Sequence, residues 1–174
     1  MPENDLKSLN YKVKIKFNVQ TMKITKINNP DLKSEVCESI LRSLPLWFGL
    51  EYAIINYIKD VKAMDTWVAY DGDSPIGFIS IHKHFESSAE VHVMGIRSEY
   101  HRKGIGHTLL KTAETELCEK GVKFLTVKTL SESRENKEYA QTRKFYLKSG
   151  FTPLEEFKTL WDEFNPCLFL VKVL

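Results

Sequence analysis

Long hydrophobic runs are missing from this 174-residue sequence, and so is an excess of charge of either sign. No apolar stretch approaches the roughly 20 residues that a membrane-crossing helix needs. The N-terminus carries no signal-peptide core, so a cytoplasmic protein with no membrane partner is expected. With 25 Lys and Arg against 23 Asp and Glu, the formal charge is only +2, which argues against a nucleic-acid partner. Cysteine is scarce as well. Cys37, Cys118 and Cys167 are odd in number and widely spaced, which excludes a disulfide framework and any metal-ligand spacing. Buried, reduced thiols are expected instead. Internal repeats and low-complexity tracts are absent. What is present suits one domain large enough to bury a core.

Residues 1–21 read as an extension in front of that domain, which spans 22–174. Tyr11, Val13, Ile15, Phe17 and Val19 alternate with polar residues, as in a half-buried strand. An extra edge strand or a homodimer contact both suit this segment. Met22 to Ile27 reads as a first strand of the domain proper. Asn29-Pro30-Asp31 has the cap, proline and acid of a helix start, and the apolar face runs Leu32, Val36, Ile40, Leu44 until Pro45 stops it. A second amphipathic pattern uses Leu50, Ala53, Ile54, Tyr57, Ile58 and Val61. Trp47 and Phe48 lie on its approach and read first as packing residues.

Thr66 to Tyr70 and Ile76 to Phe85 are strand-like, joined by the hairpin signal Asp71-Gly72-Asp73-Ser74-Pro75. A turn at Ser87-Ser88 leads to a third strand, ending Val91 to Ile96. A helix from Gly104 to Lys120 follows, with Gly121 as its C-terminal cap, and then a strand from Val122 to Leu130. This strand–helix–strand run predicts a parallel pair with a right-handed crossover. Ser131 to Lys137 is polar and expected to be loose. A last helix spans Glu138 to Ser149 before Gly150. Phe151 opens one strand and Cys167 to Leu174 forms another, with Pro153 to Asn165 as an elaborated connection. The fold class is a mixed α/β sheet of six to seven strands with about four helices.

The chemistry points to His101-Arg102-Lys103-Gly104-Ile105-Gly106-His107, between a strand and a helix. The first amides of a helix lack intrahelical partners and the dipole is positive there, so a phosphate is welcome. Gly104 and Gly106 allow close approach to the backbone, and Arg102 and Lys103 add mobile positive charge. A P-loop would need GxxxxGK followed by Ser or Thr, and a dinucleotide fingerprint a third glycine; the sequence has neither.

His101-Arg102-Lys103-Gly104-Ile105-Gly106 resembles the Gln/Arg-x-x-Gly-x-Gly/Ala signature of the GNAT superfamily of N-acyltransferases, with His101 at the usual Gln/Arg position. A second block, Arg143-Lys144-Phe145-Tyr146-Leu147-Lys148-Ser149-Gly150-Phe151, resembles the FYxxxGF end of that superfamily's fourth helix. The resemblance covers about the last 150 residues. It departs at Tyr139, where the superfamily often has Asn, which removes a usual polar contact to pantetheine.

The resemblance implies a GNAT-like fold and acetyl-CoA as cosubstrate. Pantetheine would lie against Met94, Gly95 and Ile96 beside a bulge in the fourth strand, and the pyrophosphate on residues 102–107. It also implies an acetyl transfer to a primary amine of a small molecule or peptide. Tyr146 is the candidate acid, because a phenol stays protonated at neutral pH, although a core tyrosine is the plainer use of such a residue. Glu90 is the candidate base, and His92, on the same face of a regular strand, competes with it, as does water. A non-catalytic acyl-CoA sensor is the rival reading, and it would have no need of Tyr146 or Glu90. No cysteine lies in either block, which leaves direct transfer in a ternary complex. His82 and His84 share a strand face without a third ligand, so no metal is expected. Glu155, Glu156, Trp161 and Asn165 are candidates to close the acceptor site and to favour a cationic amine.

Overall fold

Period-two and period-3.6 segments alternate along the chain, and the computed structural model, which describes residues 22–174, shows how they pair. The strand expected at Tyr11 to Val19, with the whole extension 1–21, lies outside the described residues. The elements are β1 (Lys23–Ile27), α1 (Pro30–Arg42), α2 (Glu51–Asp60), β2 (Asp65–Asp71), β3 (Ser74–Phe85) and β4 (Ser88–Ile96). They continue with α3 (Ile105–Glu119), β5 (Phe124–Leu130), α4 (Lys137–Lys148), β6 (Thr152–Asp162) and β7 (Asn165–Val173). The strands form one seven-stranded sheet in the order β1-β2-β3-β4-β5-β7-β6. Only β4 and β5 pair in parallel, with α3 as their crossover; the other neighbours are antiparallel.

Local chemistry sets the helix ends. The Asn29 side chain accepts from Asp31 N and Leu32 N, both at 2.9 Å, and Pro30 takes the first helical position, where no N–H is needed. The α1 helix ends at Arg42, before Pro45, because the Ser43 hydroxyl and amide both turn back to Ile40 O, at 2.6 and 3.0 Å. At the end of α3, Gly121 takes φ +80°, the left-handed conformation that closes a helix and that a Cβ disfavours.

The sheet separates two cores. Against α1 and α2, one face buries Val68, Phe78 and Val93 with Val36, Cys37, Ile40 and Leu41. On the other face Ile79, Ile81, Val91, Leu125, Val127 and Leu170 pack beneath α3 and α4, meeting Leu109, Ala113, Leu117 and Tyr146. Neither helix pair could hide its apolar stripe without the sheet.

Three expectations are corrected. Pro153 to Asn165 is no elaborated connection: β6 runs straight through it and forms a hairpin with β7. Register breaks at Pro153/Glu155 and Phe157/Asp162 spoil the alternation of inward and outward residues, which is why no strand could be read there. The Ser131 to Lys137 segment, expected to be loose, is fastened to that hairpin by Ser131 N to Pro166 O at 2.8 Å and Arg134 to Phe164 O at 2.7 Å. Cys37 and Cys167 are buried as expected, but Cys118 is exposed, on the outer face of α3.

Candidate active site

The site begins where β4 and β5 part. Their pairing runs from Ser88–Phe124 to Val91–Val127 and stops there. Among the described residues, β5 from Lys128 onward pairs only with β7, so β4 from His92 to Ile96 has no strand on its β5 side. A bulge lies at the same level: Ser80 faces Val93 and Ile81 faces Val91, which leaves His92 as the extra residue. Bulges re-aim side chains. Here the extra residue turns into the cleft that the split opens.

That cleft has a volume of about 410 Å³. Met94, Gly95 and Ile96 line it, as do His101, Arg102, Gly104, Ile105, Gly106, His107 and Tyr146. Two of the residues read from the sequence stand back from it. Lys103 instead holds its ammonium 4.8 Å from the centre of the Tyr100 ring. Glu90 lies behind the wall, only 8% exposed.

At the mouth of the cleft the chain enters α3 through two left-handed residues, Arg102 at φ +59° and Gly104 at φ +82°. Arg102 is the non-glycine residue with positive φ among the described residues. Such strain persists only where surrounding structure holds it, and it is common at ligand sites. The first helical bond is Thr108 N to Gly104 O at 3.0 Å, so the amides of Ile105, Gly106 and His107 have no partner among the described residues. The two glycines serve different ends. A Cβ on Gly104 would meet nothing within 4 Å, so its value is conformational. A Cβ on Gly106 would come within 2.9 Å of Ile96, 3.2 Å of Met94 and 3.3 Å of Phe145. Its smallness lets α3, β4 and α4 close up around the split. His101, in the usual Gln/Arg position, turns inward and donates from Nε2 to Ile96 O at 2.6 Å.

The second motif supplies the opposite wall. Arg143 donates to Leu130 O at 2.9 Å, which fastens α4 to the end of β5. Tyr146 is then carried into the core beside Phe145 and Phe151, with ring centroids 5.2 and 5.4 Å away. Burial drives the phenol's pKa well above its ordinary 10, and the phenols of Tyr57 and Tyr139 add to the rise. Tyr139 donates to Trp47 O at 2.8 Å, so the position where Asn was expected ties α4 to the α1–α2 loop. Trp47 in turn stacks edge-on against His101 at 5.4 Å. The loop thereby roofs the cleft.

Glu90 and His92 emerge from β4 in different surroundings. Burial alone would raise the Glu90 carboxyl. Hydrogen bonds from Lys128 at 2.6 Å and His84 at 2.9 Å instead hold it below its ordinary 4.5. His92 lines the cleft, edge-on to Tyr57 at 5.3 Å. Burial lowers its pKa below 6.5, against the opposing pull of Asp60, 3.3 Å away, and Glu90. The imidazole is therefore neutral at pH 7, with Nε2 turned toward Asp60 Oδ2 at 3.3 Å but not well aligned with it. Lys128 was missed from sequence; its signal is a lone cation at a period-two position of an otherwise apolar or hydroxyl-bearing strand. Asp60, at the end of a helix remote in sequence, has no such signal.

The acceptor-side reading needs correction. Of Glu155, Glu156, Trp161 and Asn165, only Trp161 lines the cleft. Glu156 is taken by the hydroxyls of Ser131 and Ser133, and Asn165 by Asp162 and Arg134. His82 and His84 stack on each other at 4.5 Å, outside the cleft. Among the described residues, no group of three or more His, Cys, Asp and Glu side chains converges as metal ligands do.

A mixed sheet split in the middle, with a bare helix head at the mouth of the split, defines an α/β acyltransferase fold. Residues 62–153, just over half the sequence, match the family of the acetyltransferase (GNAT) domain, and the chain belongs to that family. No curated protein sequence matches it. Among solved structures, a protein of Desulfovibrio desulfuricans assigned to the GNAT family is 13% identical, over 88% of this chain and 99% of that one, with a TM-score of 0.75. A GNAT acetyltransferase of Elizabethkingia anophelis with acetyl-CoA bound is 16% identical, over 88% and 98%, at 0.67. The aminoglycoside 6'-N-acetyltransferase of Enterococcus faecium is 19% identical, over 87% and 96%, at 0.69. At these identities the likeness is one of fold.

Proposed function

We propose that this chain transfers the acetyl group of acetyl-CoA to a primary amine of a small molecule or peptide, by direct attack within a ternary complex. The observation that carries this reading is the alignment of three features along one cleft: unpartnered amides at the head of α3, an open edge of β4, and Tyr146. The amides of residues 105–107, with Arg102 beside them, suit a pyrophosphate. The open edge from His92 to Ile96 suits the amide-bearing pantetheine arm, which extends as a strand would. His101 must leave Ile96 O if pantetheine uses that carbonyl. Reduced, free cysteines among the described residues agree with a cytoplasmic setting.

In this reading the amine nitrogen attacks the thioester carbon, and the oxyanion forms against backbone N–H groups of β4. The C–S bond then breaks and the electron pair leaves with sulfur. Tyr146 donates a hydrogen bond to the departing thiolate. Because burial raises its pKa, complete proton transfer must be matched by return of a proton from the nitrogen of the intermediate.

Between the two β4 candidates, the surroundings favour His92 as the acceptor of the amine's proton, since it is neutral and in the cleft. Glu90 then acts from behind the wall, its negative charge raising the proton affinity of His92. The test is release of the coenzyme A thiol from acetyl-CoA over a panel of amines. Amine-dependent release that Tyr146→Phe abolishes supports the reading. Absence of release with every amine rejects it.

A further inference from the structure

We infer that the acceptor is an amine with an apolar or aromatic body carrying one positive charge, and that its body runs past Lys128 into a groove behind the cleft. This rests on the acetyltransferase reading above. The acceptor half of the cleft is walled by aromatic rings: half-buried Trp47 and Phe48 from the roofing loop, Tyr57 from α2 and Tyr139 from α4, and the exposed Trp161 from β6. Among the described residues, no Asp or Glu lines the cleft. Rings hold a single ammonium by cation–π attraction. A second ammonium would be desolvated without an anion, at a cost that aromatic faces do not offset. Two carboxylates stand just outside that lining and both are engaged: Asp60 faces His92 Nε2 at 3.3 Å, and Glu90 is committed to Lys128 and His84.

Lys128 belongs to two cavities at once. Beyond it lies a groove of about 340 Å³ whose walls are Phe85, Phe157, Leu160 and Phe169, with Glu90 and His84 at its floor. The groove shares Lys128 with the acceptor cleft, and its chemistry is apolar. An amine held at His92 with a hydrocarbon or aryl body directed along β5 would lie on these residues.

The experiment compares phenylethylamine and n-alkylamines of increasing length with spermidine and kanamycin. We expect kcat/KM for the apolar amines to exceed that for the polycations by about tenfold or more. It should rise about fourfold per methylene until the groove is full. Leu160, 50% exposed, can be changed without opening the core. Leu160→Glu should raise KM for the longest alkylamine at least about fivefold and leave KM for acetyl-CoA unchanged, with no change in melting temperature. Spermidine or kanamycin as the better substrate overturns the inference and leaves the acetyltransferase reading intact. A Leu160→Glu variant that changes the mass in light scattering instead of KM assigns the groove to a second copy, and also overturns it. Transfer to no amine overturns both, and protection of the chain by acetyl-CoA against melting then tells whether the cosubstrate assignment survives.

Discussion

His92 and Tyr146 illustrate how burial moves the pKa values of two titratable side chains in opposite directions. Loss of hydration disfavours the charged form of each, so the imidazole is kept neutral and the phenol protonated, the states that the proposed proton acceptor and donor need. Tyr146→Phe is expected to lower kcat about a hundredfold or more while KM for acetyl-CoA stays within a factor of two, as steady-state thiol release will measure. For His92, the acidic limb of kcat/KM should have its midpoint below 6.5. Glu90→Gln should move that midpoint lower still, because the nearby anion favours the imidazolium; an unmoved limb would detach Glu90 from the chemistry. The same shifts govern stability. An unfolded His92 binds its proton more readily than the folded one, so stability declines as pH falls through 6.5. Glu90, held below 4.5 when folded, contributes stability above that pH and loses it at more acid values. Melting curves from pH 8 to 4 should therefore show two successive losses, and His92→Gln should remove the first.

At the scale of elements, both motif blocks were legible because each sits at a helix end, where residue type is dictated locally. Gly104 is needed for its left-handed turn, and Gly150 takes φ +92° after α4 for the same reason. Less legible was the work of Gly106, whose smallness is set by Ile96, Met94 and Phe145, residues from two other elements. Gly106→Ala gains helix propensity yet pushes on those three side chains. We expect stability to change by less than about 1 kcal/mol and KM for acetyl-CoA to rise about tenfold, from denaturant titration and kinetics. The β4 bulge was expected from the family resemblance, but its place at His92 was not. On a regular strand His92 and Glu90 would be equivalent, and only the pairing with β3 distinguishes them. The β6 strand escaped notice because its irregular register erases alternation.

Across the whole molecule, the two cores are joined by a single sheet, and charged side chains tie distant parts of it together. Glu114, buried on α3, meets Lys172 of β7 at 2.5 Å. Removing one partner strands a buried charge, so Lys172→Met should cost about 3 kcal/mol. For a chain of this size that is roughly 6–12 °C in melting temperature, measurable by calorimetry, and Glu114→Gln combined with Lys172→Met should recover part of it. The sequence alone determined the mixed α/β class and the order of most elements, because capping, periodicity and glycine placement act over a few residues, and its two motif blocks marked the head of α3 and Tyr146 as site candidates by resemblance. The structure alone decided that β4 and β5 part at Val91, that Lys128 and His84 hold Glu90 ionised behind the cleft wall, and that among the described residues no carboxylate lines the cleft. These depend on which side chains meet across the sheet, and such meetings are set by strand register and burial over distances that local sequence pattern does not encode.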